Sequence, residues 1–239
     1  MTDWAPKRFW SEARAEPVDG GHTVRLDGRA VKTPARAPLV VPTLPLAEAI
    51  AAEWQAQGEA VDPRTMPFTR SANAAIDKVT PQFAEVADLI AAYADSDLLC
   101  YRALSPAALV ARQAAGWDPL LDWVAEALEA PLKPVQGVVH QPQDAASLRK
   151  LDAAVRALSA FELTAFHDLV SLSGSLVIGL AAIHDRAPLE SLWRLSRIDE
   201  DWQREIWGAD EEAAAAESVK QAAFLHAGQF FELCRGAPF

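Results

Sequence analysis

The sequence is poor in the residues and motifs that most often identify an enzyme. It contains no GxSxG nucleophile elbow, no Walker-type phosphate loop and no GxGxxG dinucleotide fingerprint. Its five histidines lack the HxxxH and HxH spacings of metal sites, so a metal centre would need ligands from distant elements. We therefore predict no catalytic residue, no cofactor and no metal site.

Cysteine and long apolar runs are also scarce. Cys100 and Cys234 are the two cysteines, and they form no CxxC pattern, so we expect both to be reduced and buried, as in a cytoplasmic protein. The longest strongly apolar region, residues 172–183, is too short to span a bilayer, which predicts a buried helix and no membrane insertion. The first residues resemble neither a signal peptide nor a transit peptide, which favours a cytoplasmic location.

Basic residues are fewer than acidic ones: 22 lysines and arginines against 33 aspartates and glutamates. The 239 residues carry a net charge of −11, and the sequence pI is about 4.9. Nucleic acid and anionic membranes are repelled by such a chain on average, so a protein partner that is neutral or basic at the contact fits better. An apolar fraction of 51% with 23% charged residues is ordinary for a globular protein.

The hydrophobic pattern changes once along the chain. Up to about residue 42 it is typical of strands, and Asp27-Gly28 has the composition of a two-residue hairpin turn. From about residue 45 the period is that of helices. The prediction is an α+β, mainly α protein with a small antiparallel β-rich N-terminal domain (1–44) and a multi-helical domain (45–239).

Serine, glycine and proline predict helix boundaries in the middle of the chain. We expect Ser105 to cap a helix whose first residue is Pro106. Gly116 is expected to interrupt that helix, and Pro119 to begin another with Asp118 before it.

The segment of residues 191–212 predicts an amphipathic helix with an acid in its apolar stripe. Asp199 falls within that stripe, so we expect it to be hydrogen-bonded, paired or neutral, because an unpaired buried carboxylate is very costly. Gly208 is the predicted helix end. The stripe consists of Leu192, Leu195, Ile198, Trp202 and Ile206.

The other side of this predicted helix is aromatic and acidic. Trp193, Glu200 and Trp207 are expected to point away from the stripe, and residues 199–217 contain eight acids against Arg204 alone. A solvated acidic helix end explains this composition. A carboxylate-based hydrolase that pairs Asp199 with Glu200 or Asp97 is an alternative. A generic protein-interaction scaffold is another.

Six sequence blocks together extend over nearly the whole chain. They are KRFW (7–10), LDGRAVKTP (26–34), LAEAIAAEWQAQG (46–58), DPRTMP (62–67), DLLCYR (97–102) and DEDWQREIWGADEE (199–212). In sequence and in order these blocks resemble the assembly chaperone family that serves the alpha subunit of F1 ATP synthase. Ser11 departs from the family pattern, in which a lysine is expected after the first block.

The resemblance implies a chaperone that is not an enzyme and that binds the unassembled F1 alpha subunit until it pairs with beta. Members of that family occur in the mitochondrial matrix and in bacteria. Of these two, the high alanine content and the start of the chain favour a bacterial, cytoplasmic protein. We hypothesise that the client contacts Glu200, Gln203, Trp207, Asp210 and Glu211. Asp199, Trp202 and Gly208 are the expected structural support of that surface.

Overall fold

The computed structural model describes residues 7–208 and 210–235. The chain is mainly helical with a small antiparallel sheet near its N-terminus, which confirms the predicted fold class. The helices are α1 (Leu44–Gln55), α2 (Pro67–Ala74), α3 (Phe83–Ala91), α4 (Ala107–Ala127), α5 (Ala145–Arg156), α6 (Ala160–Ser173), α7 (Leu176–Ile183), α8 (Leu189–Leu195), α9 (Ile198–Trp207) and α10 (Glu211–Arg235). The strands are β1 (Ala13–Val18), β2 (Gly21–Leu26), β3 (Arg29–Ala30), β4 (Val40–Val41), β5 (Tyr101–Arg102) and β6 (Val135–Gln136).

The described chain divides into two compact units. One comprises residues 7–83, 160–165 and 229–235, and the other comprises residues 84–159, 166–208 and 210–228. The first unit extends past residue 44, because α1 packs on β1 and β2. As a boundary between independently folding domains, residues 44–45 stay a prediction.

The sheet of the first unit has the predicted hairpin at its centre. Asp27 and Gly28 form the turn with φ angles of 46° and 79°, and Leu26 lies opposite Arg29. Strand β2 also pairs antiparallel with β1 and with β4. The hairpin is therefore confirmed, and β4 lies within the segment up to about residue 42 whose pattern predicts strands.

A carboxylate fixes helix α2 to helix α1 in the same unit. Glu53 of α1 accepts hydrogen bonds from the backbone N–H groups of Phe68 (2.6 Å) and Thr69 (2.8 Å) at the start of α2. Burial raises the pKa of Glu53, and the hydrogen bonds from Thr69 and Phe68 oppose that rise. Glu53 thus satisfies N–H groups that a helix start otherwise leaves unpaired.

Helix α4 of the second unit is continuous, so the predicted break at Gly116 and new start at Pro119 are wrong. It begins at Ala107, because Pro106 has extended backbone (ψ 162°), and no side chain caps this end. A Cβ on Gly116 would lie 2.8 Å from the Cδ1 of Ile198, so this glycine allows close packing. Pro119 is tolerated because a buried stripe continues on both sides of it and outweighs its cost of about 3 kcal/mol.

The predicted helix over residues 172–183 is interrupted at Gly174. This residue has a φ of 74°, and its carbonyl accepts a hydrogen bond from the Leu98 N–H (3.2 Å) instead of continuing α6. Ser175 then caps α7 by accepting from the Ile178 N–H at 3.0 Å. Burial of this apolar segment is confirmed, since every residue of α7 is buried.

The predicted helix of residues 191–212 is also two helices, α8 and α9. The indole N–H of Trp117 donates to the Leu195 carbonyl (2.8 Å), an oxygen that a continuing helix would use. The buried hydroxyl of Ser196 donates to the Trp193 carbonyl (2.7 Å), a local bond that competes with helical hydrogen bonding. Trp193 of α8 is buried, although it was expected to point away from the apolar stripe, whereas Ile206 of the stripe is 54% exposed at the far end of α9.

Two other predictions concern the thiols and the membrane. Cys100 and Cys234 are buried and unpaired, as expected. Burial raises the pKa of Cys100 to about 12 and raises that of Cys234 as well, so both stay protonated at neutral pH. Within the described ranges, no helix has the length and apolar character needed to cross a membrane.

Candidate functional site

Helix α9 carries most of the predicted site residues, and a hydrogen bond at Asp199 joins it to α4. The amide of Gln113 donates to Asp199 Oδ1 at 2.7 Å. The carbonyl oxygen of the same Gln113 side chain accepts from the Ala103 N–H at 2.8 Å. Asp199 is half-buried and hydrogen-bonded, as the sequence predicts, and through Gln113 it is linked to the loop after β5.

A second set of contacts holds the middle of α9. The guanidinium of Arg112 on α4 donates to both carboxylate oxygens of Glu205, at 2.7 and 2.8 Å, and lies 5.0 Å from the ring centroid of Trp202. The hydrogen bond from Arg112 lowers the pKa of Glu205, and the carboxylate raises the pKa of Arg112. Trp202 is half-buried, and its role as structural support of the site stays a prediction.

Four of the five predicted client-binding residues line one groove, which we call the acidic groove. Its volume is about 450 Å³. Glu200, Gln203, Trp207 and Asp210 line it, whereas Glu211 is exposed at the start of α10 outside the lining. The other lining residues are Arg197, Arg204, Gly208, Ala213, Ala214, Ala216, Glu217 and Lys220.

The end of α9 presents Trp207 at this groove. Gly208 terminates the helix with a φ of 90°, a conformation that favours glycine, as predicted. The Trp207 side chain is 85% exposed, although tryptophan is usually well buried. Asp210 caps α10 by accepting from the Ala213 N–H at 2.9 Å, so its carboxylate is held beside the groove.

Ion pairs neutralise part of the acidic groove. Arg197 pairs with Glu200 at 2.9 Å. Arg204 pairs with Asp201 at 3.1 Å and also with Glu217. Lys220 also lines the groove, but among the described side chains it forms no ion pair with Asp210, whose carboxylate can therefore pair with a partner.

A second groove lies along α9, and the sequence did not predict it. This apolar groove has a volume of about 390 Å³ and is lined by Tyr101, Arg102, Ala103, Leu104, Ser105, Leu109, Gln113, Gly137, Val138, Asp199, Trp202 and Gln203. Gln203 lines both grooves. The loop residues Leu104 and Val138 have no hydrophobic period, so only their position in the proline-rich connections could have drawn attention to them.

The carboxylate pairs suggested for a hydrolase are not assembled in one groove. Glu200 lines the acidic groove, whereas Asp199 lines the apolar groove. Asp97 is fully buried, where it accepts from the Val177 N–H (3.0 Å) and the Ser175 hydroxyl (2.7 Å). Burial raises the pKa of Asp97 to about 6.

In the part of the chain that the structure describes, no group of three or more histidine, cysteine, aspartate or glutamate side chains is arranged to hold a metal ion.

Known proteins are similar to this chain in both sequence and fold. The model of the ATP12 chaperone protein family matches residues 7–125. The mitochondrial protein atp12 of Schizosaccharomyces pombe is 25% identical over 223 residues, which cover 87% of this chain and 75% of that protein. The crystal structure of Atp12 from Paracoccus denitrificans is 51% identical, with a TM-score of 0.94 and coverage of 96% of this chain and 98% of that one. The Atu1473 protein of Agrobacterium tumefaciens is 40% identical, with a TM-score of 0.91 and coverage of 95% and 86%. This chain therefore belongs to the ATP12 chaperone family.

Proposed function

We propose that this protein is an assembly chaperone of F1 ATP synthase and that it binds the unassembled alpha subunit through the acidic groove. The client-binding residues of this proposal are Glu200, Gln203, Trp207, Asp210 and Glu211. The observation that carries it is the 85% exposure of Trp207 at the end of a well-anchored helix, in a groove that both acidic and basic side chains line. Membership of the ATP12 family supports the chaperone class.

The physical properties of the groove suit a client that must later be released. Binding energy at protein interfaces is concentrated in a few residues, often tryptophan, surrounded by polar groups. Trp207 provides such an anchor, and Asp210 and Glu211 provide acidic groups at its edge. An acidic rim also steers a client with a basic contact face and discriminates against acidic ones.

Light scattering during refolding of purified F1 alpha subunit tests this function. We expect the protein to suppress alpha aggregation at near-stoichiometric ratio and to leave F1 beta subunit, the control client, unprotected. Trp207→Ala should raise the concentration needed for half-suppression by about tenfold or more. Phe9→Ala is the matched control, because Phe9 is an exposed aromatic residue outside the groove (62% exposed).

Charge reversal distinguishes the acidic groove from a solvated helix end. Glu200→Lys combined with Asp210→Lys should weaken alpha binding while the circular dichroism spectrum stays unchanged. If this folded variant bound alpha as well as the unsubstituted protein does, the acidic groove would not be the client-binding site. Equal protection of alpha and beta would favour a generic scaffold instead.

The proposal extends to the compartment. The Schizosaccharomyces pombe relative is mitochondrial, whereas the similar crystal structures are of bacterial proteins. The chain is 51% and 40% identical to the two bacterial proteins and 25% identical to the mitochondrial one. These values support the bacterial cytoplasm as the place where this protein meets newly made alpha subunit.

A further inference from the structure

The rim of the apolar groove exposes aliphatic side chains from two loops. Leu104 is 71% exposed and Val138 is 91% exposed, and both line the groove. Val139, the next residue, is 74% exposed. Single exposed aliphatic residues are common, but a group of them at the edge of a concave site is typical of an interaction surface.

The loop that carries Leu104 is held in place by buried polar contacts. The Ala103 N–H donates to Gln113, whose side chain is 2% exposed and also bonds to Asp199. The position of Leu104 is therefore coupled to helix α9.

The opposite loop is also fixed. Gly137 has a φ of 82°, and its N–H donates to the Arg102 carbonyl at 2.9 Å. The Tyr101 hydroxyl lies 3.1 Å from His140 Nδ1, and His140 Nε2 lies 3.3 Å from Asp95. A rim held at several points loses little conformational entropy when a partner binds.

The charge in this groove is negative. Asp199 lines it, and among the described residues no cation pairs with this carboxylate. Arg102 also lines the groove, but its guanidinium donates to Asp118 at 2.7 Å. An aliphatic side chain with a neighbouring lysine or arginine would thus complement both the rim and Asp199.

We propose that the apolar groove is a second docking site for the same client and that it takes an aliphatic side chain next to a basic residue from one segment of the unassembled alpha subunit. This inference rests on the proposed function. Gln203 lines both grooves, so one client can occupy them together across α9. Two contacts would raise affinity without either forming a large dry patch.

Aspartate substitutions on the rim test the apolar contact. Leu104→Asp and Val138→Asp should each raise the concentration for half-suppression of alpha aggregation by about tenfold, because a buried aliphatic contact is replaced by a charge. Val219→Asp is the matched control, since Val219 is 71% exposed in the same unit and lines neither groove. Equal thermal midpoints would show that the three variants are folded.

Asp199→Asn tests the charge. Asparagine keeps an acceptor for Gln113, so the fold should persist while alpha binding weakens a few-fold and depends less on salt. If the salt dependence of alpha binding were identical to that of the unsubstituted protein, the proposed pairing of a basic client residue with Asp199 would be wrong.

Photocrosslinking identifies the occupant directly. A photoreactive residue at position 138 should crosslink to an alpha peptide that contains an aliphatic residue beside lysine or arginine, and one at position 219 should not. Crosslinking to a second copy of this chain, or to an acidic peptide, would overturn the inference.

The outcomes separate the inference from the proposed function. If the unsubstituted protein fails to protect alpha, the proposed function is wrong. If it protects alpha and Trp207→Ala impairs protection, but Leu104→Asp and Val138→Asp behave like Val219→Asp, only the second docking site is wrong.

Discussion

Replacing Asp199 by alanine is expected to lower the free energy of unfolding by about 1–3 kcal/mol. The substitution removes the acceptor at 2.7 Å from the amide of Gln113, a residue that is 2% exposed in the lining of the apolar groove. An unsatisfied buried donor costs most of that amount, whereas Asp199 itself is only half-buried. Asp199→Asn should recover most of the loss, because its side-chain oxygen can still accept the bond.

A double-mutant cycle with Gln113→Ala isolates the contact. Urea unfolding followed by circular dichroism should give a coupling energy of about 1–2 kcal/mol between the two substitutions, with equal m-values. Glu212→Ala, which removes an exposed carboxylate from the same acidic segment, is the control and should change stability little. Additive effects, or an Asp199→Ala variant as stable as the unsubstituted protein, would refute the argument that Asp199 orients α9.

Three further predictions concern the core and the surface of the second unit. Gly179→Ala should lower the free energy of unfolding by about 1–2 kcal/mol, because its Cβ would lie 2.6 Å from the buried side chain of Val170. This overpacking should exceed the gain in helix propensity, so a variant with a higher thermal midpoint would contradict the prediction. Burial raises the pKa of Asp97 from 3.8 to about 6, so the stability that its protonated form contributes is fully present below pH 3.8 and is lost as the pH rises through 6. Relative to Asp97→Asn, the free energy of unfolding should fall by about 3 kcal/mol over that range, and a pH-independent difference between the two proteins would count against this prediction. Glu205→Gln, which weakens an exposed ion pair with Arg112, should change the thermal midpoint little, and less at high salt than at low salt; a large shift at high salt would show that the pair is stronger than its exposure indicates.

The sequence predicts structure best where the cause is local. The hairpin at Asp27-Gly28 follows from two adjacent residues that tolerate positive φ, and the structure has the two-residue turn there, with Leu26 opposite Arg29. The helix end at Gly208 is equally local. Both depend on backbone preferences that no distant contact overrides.

Predictions failed where a distant residue decides the local structure. The break between α8 and α9 depends on the Trp117 indole, which lies 78 positions from the Leu195 carbonyl that it binds. Gly116 has the same ambiguity, because a glycine that breaks a helix and one that admits a neighbour look alike in sequence. Hydrophobic periodicity contains neither fact.

The candidate site was predicted in part for the same reason. The acids and the tryptophan of the acidic groove lie close together in sequence, on α9 and in the cap and first turns of α10, so their clustering is visible in the sequence. The apolar groove brings together Leu104, Val138 and Trp202 from three separate segments. Such a site depends on tertiary structure, and residues in loops have no period that would indicate a shared face.

Helix α9 changes from buried to exposed along its length, and this gradient suits a chaperone. Ile198 at its start is 7% exposed and packs near Gly116, whereas Trp207 at its end is 85% exposed. The buried turn holds the helix in one position, so the exposed turn can present its anchor with little ordering cost. Because each groove is small, a client would be bound by several modest contacts, and a competing subunit that covers one contact would weaken the others. If both proposed docking sites bind the client, dividing the binding surface between two grooves on one helix would make its protection reversible.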